Sequence, residues 1–242
     1  MSLLIVGTLA FDDIQTPAGR ADNEIGGSAA YAALAASFSV PTAICAIVGE
    51  DFPKETLDDL AARRIDLRGV ERASGRSFRW AGRYHENLNL RDTLDTQLNV
   101  LTAFKADVPP ALRDTEFVFL GNIDPELQLS VLRQLNKPRV VGLDTMNYWL
   151  ESARPAVLRV LEKIDLLIVN DEEARLLSGQ HNIVKAARSI LKLGPKRLLI
   201  KRGEYGVLSF GDESVFAMPA YPLEEVFDPT GAGDTFAGGC MG

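Results

Sequence analysis

The stretch from Asp228 to Gly242 carries the densest chemistry in the sequence. A run of small residues, Gly231-Ala232-Gly233, delivers Asp234 into the first turn of a predicted helix. Such a turn aims backbone N–H groups outward, and the positive end of the helix dipole adds to them, so the place suits an anion. A carboxylate there works against an anion unless it has a chemical task. Beside a bound polyphosphate, Asp234 could take the proton of an attacking hydroxyl while the amides of Gly231, Ala232 and Gly233 stabilise the developing charge. A plainer reading has Asp234 cap the helix and the glycines close a tight turn. The full run D-P-T-G-A-G-D-T-F is specific enough to favour the chemistry.

Other groups lie where short apolar runs end, the side on which open parallel sheets bind ligands. Asp12 follows the run Leu3–Val6 and Gly7, and is either functional or a turn residue beside Asp13. Gly26-Gly27, ahead of a small-residue helix that includes Tyr31, permit close approach of backbone to a ligand. Asn170 and Glu173 have the spacing of a capping box at the start of a helix. Lys201-Arg202-Gly203-Glu204-Tyr205-Gly206 forms a glycine-containing turn whose cations could neutralise phosphate or merely face water. Asp144 ends the run Val140–Leu143 and could sit near a transferring phosphate.

In their order along the chain, Gly7 and Asp12, Gly26-Gly27, Asn170-Asp171-Glu172-Glu173 and the Gly231–Asp234 motif resemble the PfkB (ribokinase-like) family of carbohydrate and nucleoside kinases. The resemblance spans nearly the whole chain. It implies ATP-dependent phosphorylation of a hydroxyl on a sugar or sugar-like substrate, with Asp234 as general base. It further implies that Asp12 binds adjacent sugar hydroxyls together with the Gly26-Gly27 turn. Asn170 and Glu173 would hold Mg2+ and phosphate, Glu173 through water, in keeping with magnesium's preference for retained waters. Gly203 and Gly206 would let ATP lie against the backbone, with Lys201 near its phosphates. A nucleoside of the adenosine type is the alternative acceptor, and a non-catalytic ligand-binding homologue is the alternative to any transfer. Tyr31 stands where the family usually places a substrate-contacting Asn, so acceptor specificity does not carry over directly.

The elements that must position these residues read as an α/β fold. Continuous apolar runs at Leu3–Val6, Ala43–Val48, Phe117–Leu120, Val140–Leu143, Leu166–Val169 and Leu198–Ile200 predict strands buried on both faces of a doubly wound, mostly parallel sheet. Helices are predicted between them at 28–38, 53–63, 125–135, 154–162, 171–177 and 183–193. The segment 68–97 breaks the rhythm, with no buried run and the arginines Arg68, Arg72, Arg76, Arg79, Arg83 and Arg91. Within it Phe78, Trp80, Gly82 and Tyr84 alternate with polar or small residues, as in a strand covered on one face. It is either an exposed hairpin or, as the resemblance implies, a small β-sheet lid shared with residues 14–24. A homodimer formed through that lid is a further expectation.

At 242 residues the chain suits one domain spanning 1–242. A net charge of −7 argues against nucleic-acid binding. The sequence offers no membrane span or targeting segment, which leads to the expectation of a cytoplasmic protein. Cys45 and Cys240 have no metal or redox spacing, and both read as buried thiols. No P-loop, dinucleotide or esterase signature is present. The chain stops at Gly242, soon after the helix opened at Gly233, so the C-terminal helices usual in the family are expected to be missing, leaving apolar surface uncovered.

Overall fold

The computed structural model describes residues 2–211 and 213–242. In chain order the elements are β1 (Leu3–Val6), β2 (Ala10–Thr16), β3 (Gly19–Gly26), α1 (Ser28–Ala36), β4 (Thr42–Val48), α2 (Lys54–Ala62), β5 (Ile65–Arg72), β6 (Phe78–Tyr84) and β7 (Arg91–Gln97). They continue with β8 (Phe117–Leu120), α3 (Pro125–Gln134), β9 (Val140–Asp144), α4 (Asn147–Ser152), α5 (Arg154–Leu161), β10 (Leu166–Asn170), α6 (Asp171–Ser178), α7 (Ile183–Leu191), β11 (Arg197–Lys201), β12 (Val207–Phe210), β13 (Val215–Met218) and α8 (Ala232–Met241).

A nine-stranded sheet runs β13-β12-β11-β10-β9-β8-β1-β4-β5, parallel from β11 to β5 and antiparallel at β12 and β13. Its strands divide their side chains between two cores. Leu4 and Val6 of β1 join the core that includes Leu129, Val157, Leu177 and Ile190, drawn from α3, α5, α6 and α7. Leu3 and Ile5 join the core built with α1, α2 and α8. Both cores exclude water from β1, which is why its run is apolar without alternation. Each such side chain stabilises the fold by about 1.5–3 kcal/mol relative to an exposed one.

From β1 the chain winds outward through β4 and β5, then returns to β8 and winds the other way. The β1/β8 junction is therefore a switch point, where a crevice opens beyond the carboxyl ends. Over that edge lies a four-stranded sheet, β3-β2-β6-β7, in which β2 and β6 run parallel and the outer pairings are antiparallel. The expected segments 14–24 and 68–97 need redrawing. Residues 68–72 belong to β5 and pair with β4 in the large sheet, because β5 is an edge strand whose polar alternation resembles that of the small sheet. The small sheet takes in residues 10–26 and 78–97 instead. Asp12 thus sits within strand β2 rather than in a loop above β1.

α8 crosses α1 at short range. A side chain at Gly238 would collide with the backbone of Ala32, and Met241 of α8 fills the space beside Gly142 of β9. At the far end of the large sheet, β13 is exposed, with Val215, Phe216 and Met218 open to solvent. Tyr221, Leu223, Val226 and Phe227, in the segment that follows, are exposed as well. Cys45 is buried as expected, whereas Cys240 is exposed on the outer face of α8. Among the described residues no helix is long and apolar enough to cross a membrane.

Candidate active site

Three successive strands place charged groups side by side. β9, β10 and β11 are neighbours, and their carboxyl ends are Asp144, Asn170 and Lys201. Lys201 reaches across β10 to Asp144, Nζ to Oδ2 3.0 Å, and both side chains are largely buried. Glu173, one turn into α6, is buried beside them. Burial alone would lower the Lys201 pKa, but Asp144, Glu173 and Asp234 outweigh it and hold the ammonium above its usual value. The site therefore keeps a fixed cation in a carboxylate-rich floor.

Two helix N-termini face this floor, and they differ. In α6 the first turn is closed by its own side chains: the Glu173 N–H donates to Asn170 Oδ1 at 2.7 Å, and the Asn170 N–H donates to Glu173 Oε2 at 2.8 Å. The capping box is thus formed, and one Glu173 oxygen is committed to it. α8 has no side-chain cap. Its N-cap, Gly231, is left-handed (φ 72°), and a side chain there would run into the Tyr31 ring. The N–H groups of Gly233 and Asp234, in the first turn, have no acceptor within the helix. Lys201 Nζ lies beside Gly233, where a Cβ would stand 3.0 Å from it. An open helix end with an adjacent buried cation is suited to phosphate.

Two carboxylates flank this anion site. Asp234 rises to about pKa 7 through burial and then the charge of Asp144, opposed by Lys201 and Arg91. Asp12, 5% exposed, also rises to about 7, through burial first, then Asp234, Asp228 and Asp13. Glu173 is pushed upward as well, by burial and by Asp144. Tyr31 joins the group, its phenol pushed up by burial and by Asp12, Asp228 and Asp234. A carboxylate that exchanges its proton near neutrality suits general-base work.

The glycines have packing duties of their own. Gly26 makes room for the Asp12 carboxylate, and Gly27 (φ 98°) for the Thr8 carbonyl. Gly206 (φ 87°) passes against the Met218 carbonyl and so permits the β11–β12 turn to meet β13. Gly203 (φ 55°) lies against Asn89 of the β6–β7 turn. Asp12, Asp144, Glu173, Lys201 and Asp234 thus share one electrostatic cluster, while Gly203 and Gly206 shape the adjoining turn. Sequence reasoning passed over Asn89 and the special position of Arg91. Their only sequence signal is a polar tip at the end of the aromatic strand Phe78–Tyr84.

Among the described residues no group of three His, Cys, Asp or Glu side chains is arranged to hold a metal by itself. Asp144 and Glu173 beside an open anion site fit Mg2+ that arrives with phosphate and keeps its waters.

The fold and this cluster define a ribokinase-like phosphotransferase with an alcohol group as acceptor. The chain belongs to the pfkB family of carbohydrate kinases, which matches residues 5–242. It is 31% identical over 249 residues to a cytidine kinase of Thermococcus kodakarensis, covering 100% of this chain and 87% of that protein. A ribokinase of Lactococcus lactis is 29% identical over 140 residues, 57% of this chain and 44% of its own. Among solved structures, a ribokinase II-type protein of E. coli in complex with ATP and Mg2+ superposes with a TM-score of 0.81 at 22% identity, covering 98% of this chain and 83% of that one. A nucleoside kinase of Burkholderia thailandensis in complex with inosine gives 0.80 at 21% identity, with 98% and 82% covered.

Proposed function

We propose that the chain is an ATP- and Mg2+-dependent nucleoside kinase that phosphorylates a hydroxyl of the ribose. The observation that carries this reading is Asp234 at the uncapped N-terminus of α8, with Asp12 buried in the same cleft. Asp12 accepts hydrogen bonds from two adjacent ribose hydroxyls, and their placement aims the acceptor hydroxyl at Asp234. Asp234 takes the proton as the new P–O bond forms and the bond to the leaving ADP breaks. The N–H groups of Gly233 and Asp234, with Lys201, donate to the phosphoryl oxygens. When bound, MgATP supplies the phosphoryl group and the metal's share of charge neutralisation. The small sheet covers the cleft and excludes water that would otherwise compete as acceptor.

Likeness to the cytidine kinase along the whole chain favours a nucleoside over a free sugar. The ring of Tyr31, packed against Gly231 at the start of α8, agrees with it, since rings of this kind stack on a base. A free-sugar kinase is the second reading, favoured by the partial likeness to the L. lactis ribokinase.

The test is ADP release from MgATP with cytidine, uridine, inosine, ribose or fructose, for the wild type and for Asp234→Asn. The expected result is release that depends on a nucleoside and falls by about a thousandfold or more in the variant, because general-base and positioning effects are lost together. Ribose as the sole effective acceptor would replace this reading with the second one. Release that ignores both acceptor and Asp234 would overturn both.

A further inference from the structure

Arg91 opens β7 and pairs with Tyr84 across the β6–β7 ladder. The Tyr84 hydroxyl lies 3.3 Å from Thr230 Oγ1, in the loop that leads into α8. Two residues before Arg91, the Asn89 side chain rests on Gly203 in the turn after β11. The hairpin tip is therefore seated on both flanks of the anion site, and Arg91 stands between its two points of contact. Its guanidinium carbon lies 5.9 Å from the centre of the Trp80 ring, which orders it without neutralising it.

The neighbouring cations of the small sheet are engaged. Arg79 donates to Asn23 at 2.6 Å, Arg83 to Gln15 at 3.0 Å, and His85 lies 3.1 Å from Asp92. Among the described residues Arg91 forms no ion pair. Its charge is nonetheless felt at both ends of the floor, where it opposes the upward shifts of Asp234 and Glu173.

We propose that Arg91 is a phosphate-binding catalytic residue, holding the terminal phosphate of ATP and the phosphoryl oxygens during transfer. This rests on the kinase reading above. A planar guanidinium held over a ring presents a fork to phosphate, which a lysine does not. The placement also couples the two substrates. Asp12 pairs with Trp80 in the same sheet, so the sheet that holds the acceptor carries the cation for the donor. Charge stabilisation is then complete only when that sheet is seated.

The experiment compares the wild type with Arg91→Ala, Arg91→Lys and, as a control on the same strand pair, Arg83→Ala. Two readouts are taken: acceptor-dependent turnover, and calorimetric binding of Mg-AMP-PNP against Mg-ADP without acceptor. Arg91→Ala is expected to lower kcat by about 100–1,000-fold, the range for losing one oriented charge-stabilising donor, and to shift the acceptor KM by less than about threefold. It should also erase the preference of the wild type for AMP-PNP over ADP. Arg91→Lys should recover about tenfold of the lost rate, and Arg83→Ala should match the wild type. A retained kcat in Arg91→Ala, a retained preference, or no such preference in the wild type would overturn the assignment. If the wild type transfers phosphate to no acceptor, the kinase reading fails on its own, and the nucleotide preference still decides whether Arg91 binds the terminal phosphate.

Discussion

The carboxyls of Asp12 and Asp234 set opposite demands on the same cleft. Each rises to about pKa 7 in the fold, well above the ordinary aspartate value, chiefly through burial. A raised carboxyl stabilises the fold fully below its unfolded pKa, and that contribution is lost as pH rises through the folded value. The ligand-free protein should therefore become less stable between pH 5.5 and 8, by on the order of 1–3 kcal/mol, or a few degrees in thermal midpoint. Turnover should move the other way: in the proposed mechanism Asp234 takes a proton only when ionised, so kcat should fall below about pH 7. Thermal scans of the wild type and Asp234→Asn across this range check the first statement, with a shallower slope expected in the variant. Identical slopes would mean that Asp234 is solvated like a surface carboxylate. Much of this cluster was legible as a motif, because D-P-T-G-A-G-D names both the turn and the acid. The pairing of Lys201 with Asp144 was not, since the two are joined only through the order of β9, β10 and β11.

The element that most constrains the site is α8, and its position depends on a close crossing with α1. The crossing works because Ala29, Ala32, Ala33 and Ala36 present a flat face and Gly238 has no side chain to meet it. Gly238→Leu should force the helices apart, costing about 1–3 kcal/mol by overpacking. It should also lower kcat about tenfold or more, because a misplacement of the catalytic group by about 1 Å suffices for a large loss. Gly239 has open space around it, so Gly239→Ala should leave activity unchanged and add up to about 1 kcal/mol of helix stability. Chemical unfolding and steady-state kinetics of the two variants test the contrast; equal effects would remove the crossing from the explanation. Strands buried on both faces, such as β1 and β4, could be read from sequence because their apolar runs are unbroken. β5 and β7 could not, since an edge strand and a wholly exposed strand carry polar residues that mask their pairing. Tertiary pairing, rather than local pattern, decides which sheet such segments join.

At the scale of the molecule, the large sheet separates two apolar cores and gathers its chemistry along one edge. A doubly wound sheet was implied by alternating strands and helices, and one strand of the small sheet by a single aromatic alternation, whereas the switch point between β1 and β8 emerged only from the strand order. How far that small sheet reaches was not legible, because its contacts with Thr230 and Gly203 join residues more than a hundred positions apart. Opposite in character to the charged edge is the border at β13, whose outer backbone groups and exposed Val215, Phe216 and Met218 have neither charge nor proline among them. A border of this kind invites strand-to-strand addition. For the chain as it stands, the consequence is colloidal: molecules should attract one another at high concentration, giving a negative second virial coefficient by static light scattering. Phe216→Lys should turn that coefficient positive while kcat stays as it was, so the working concentration of the protein would be governed by a strand that takes no part in its chemistry.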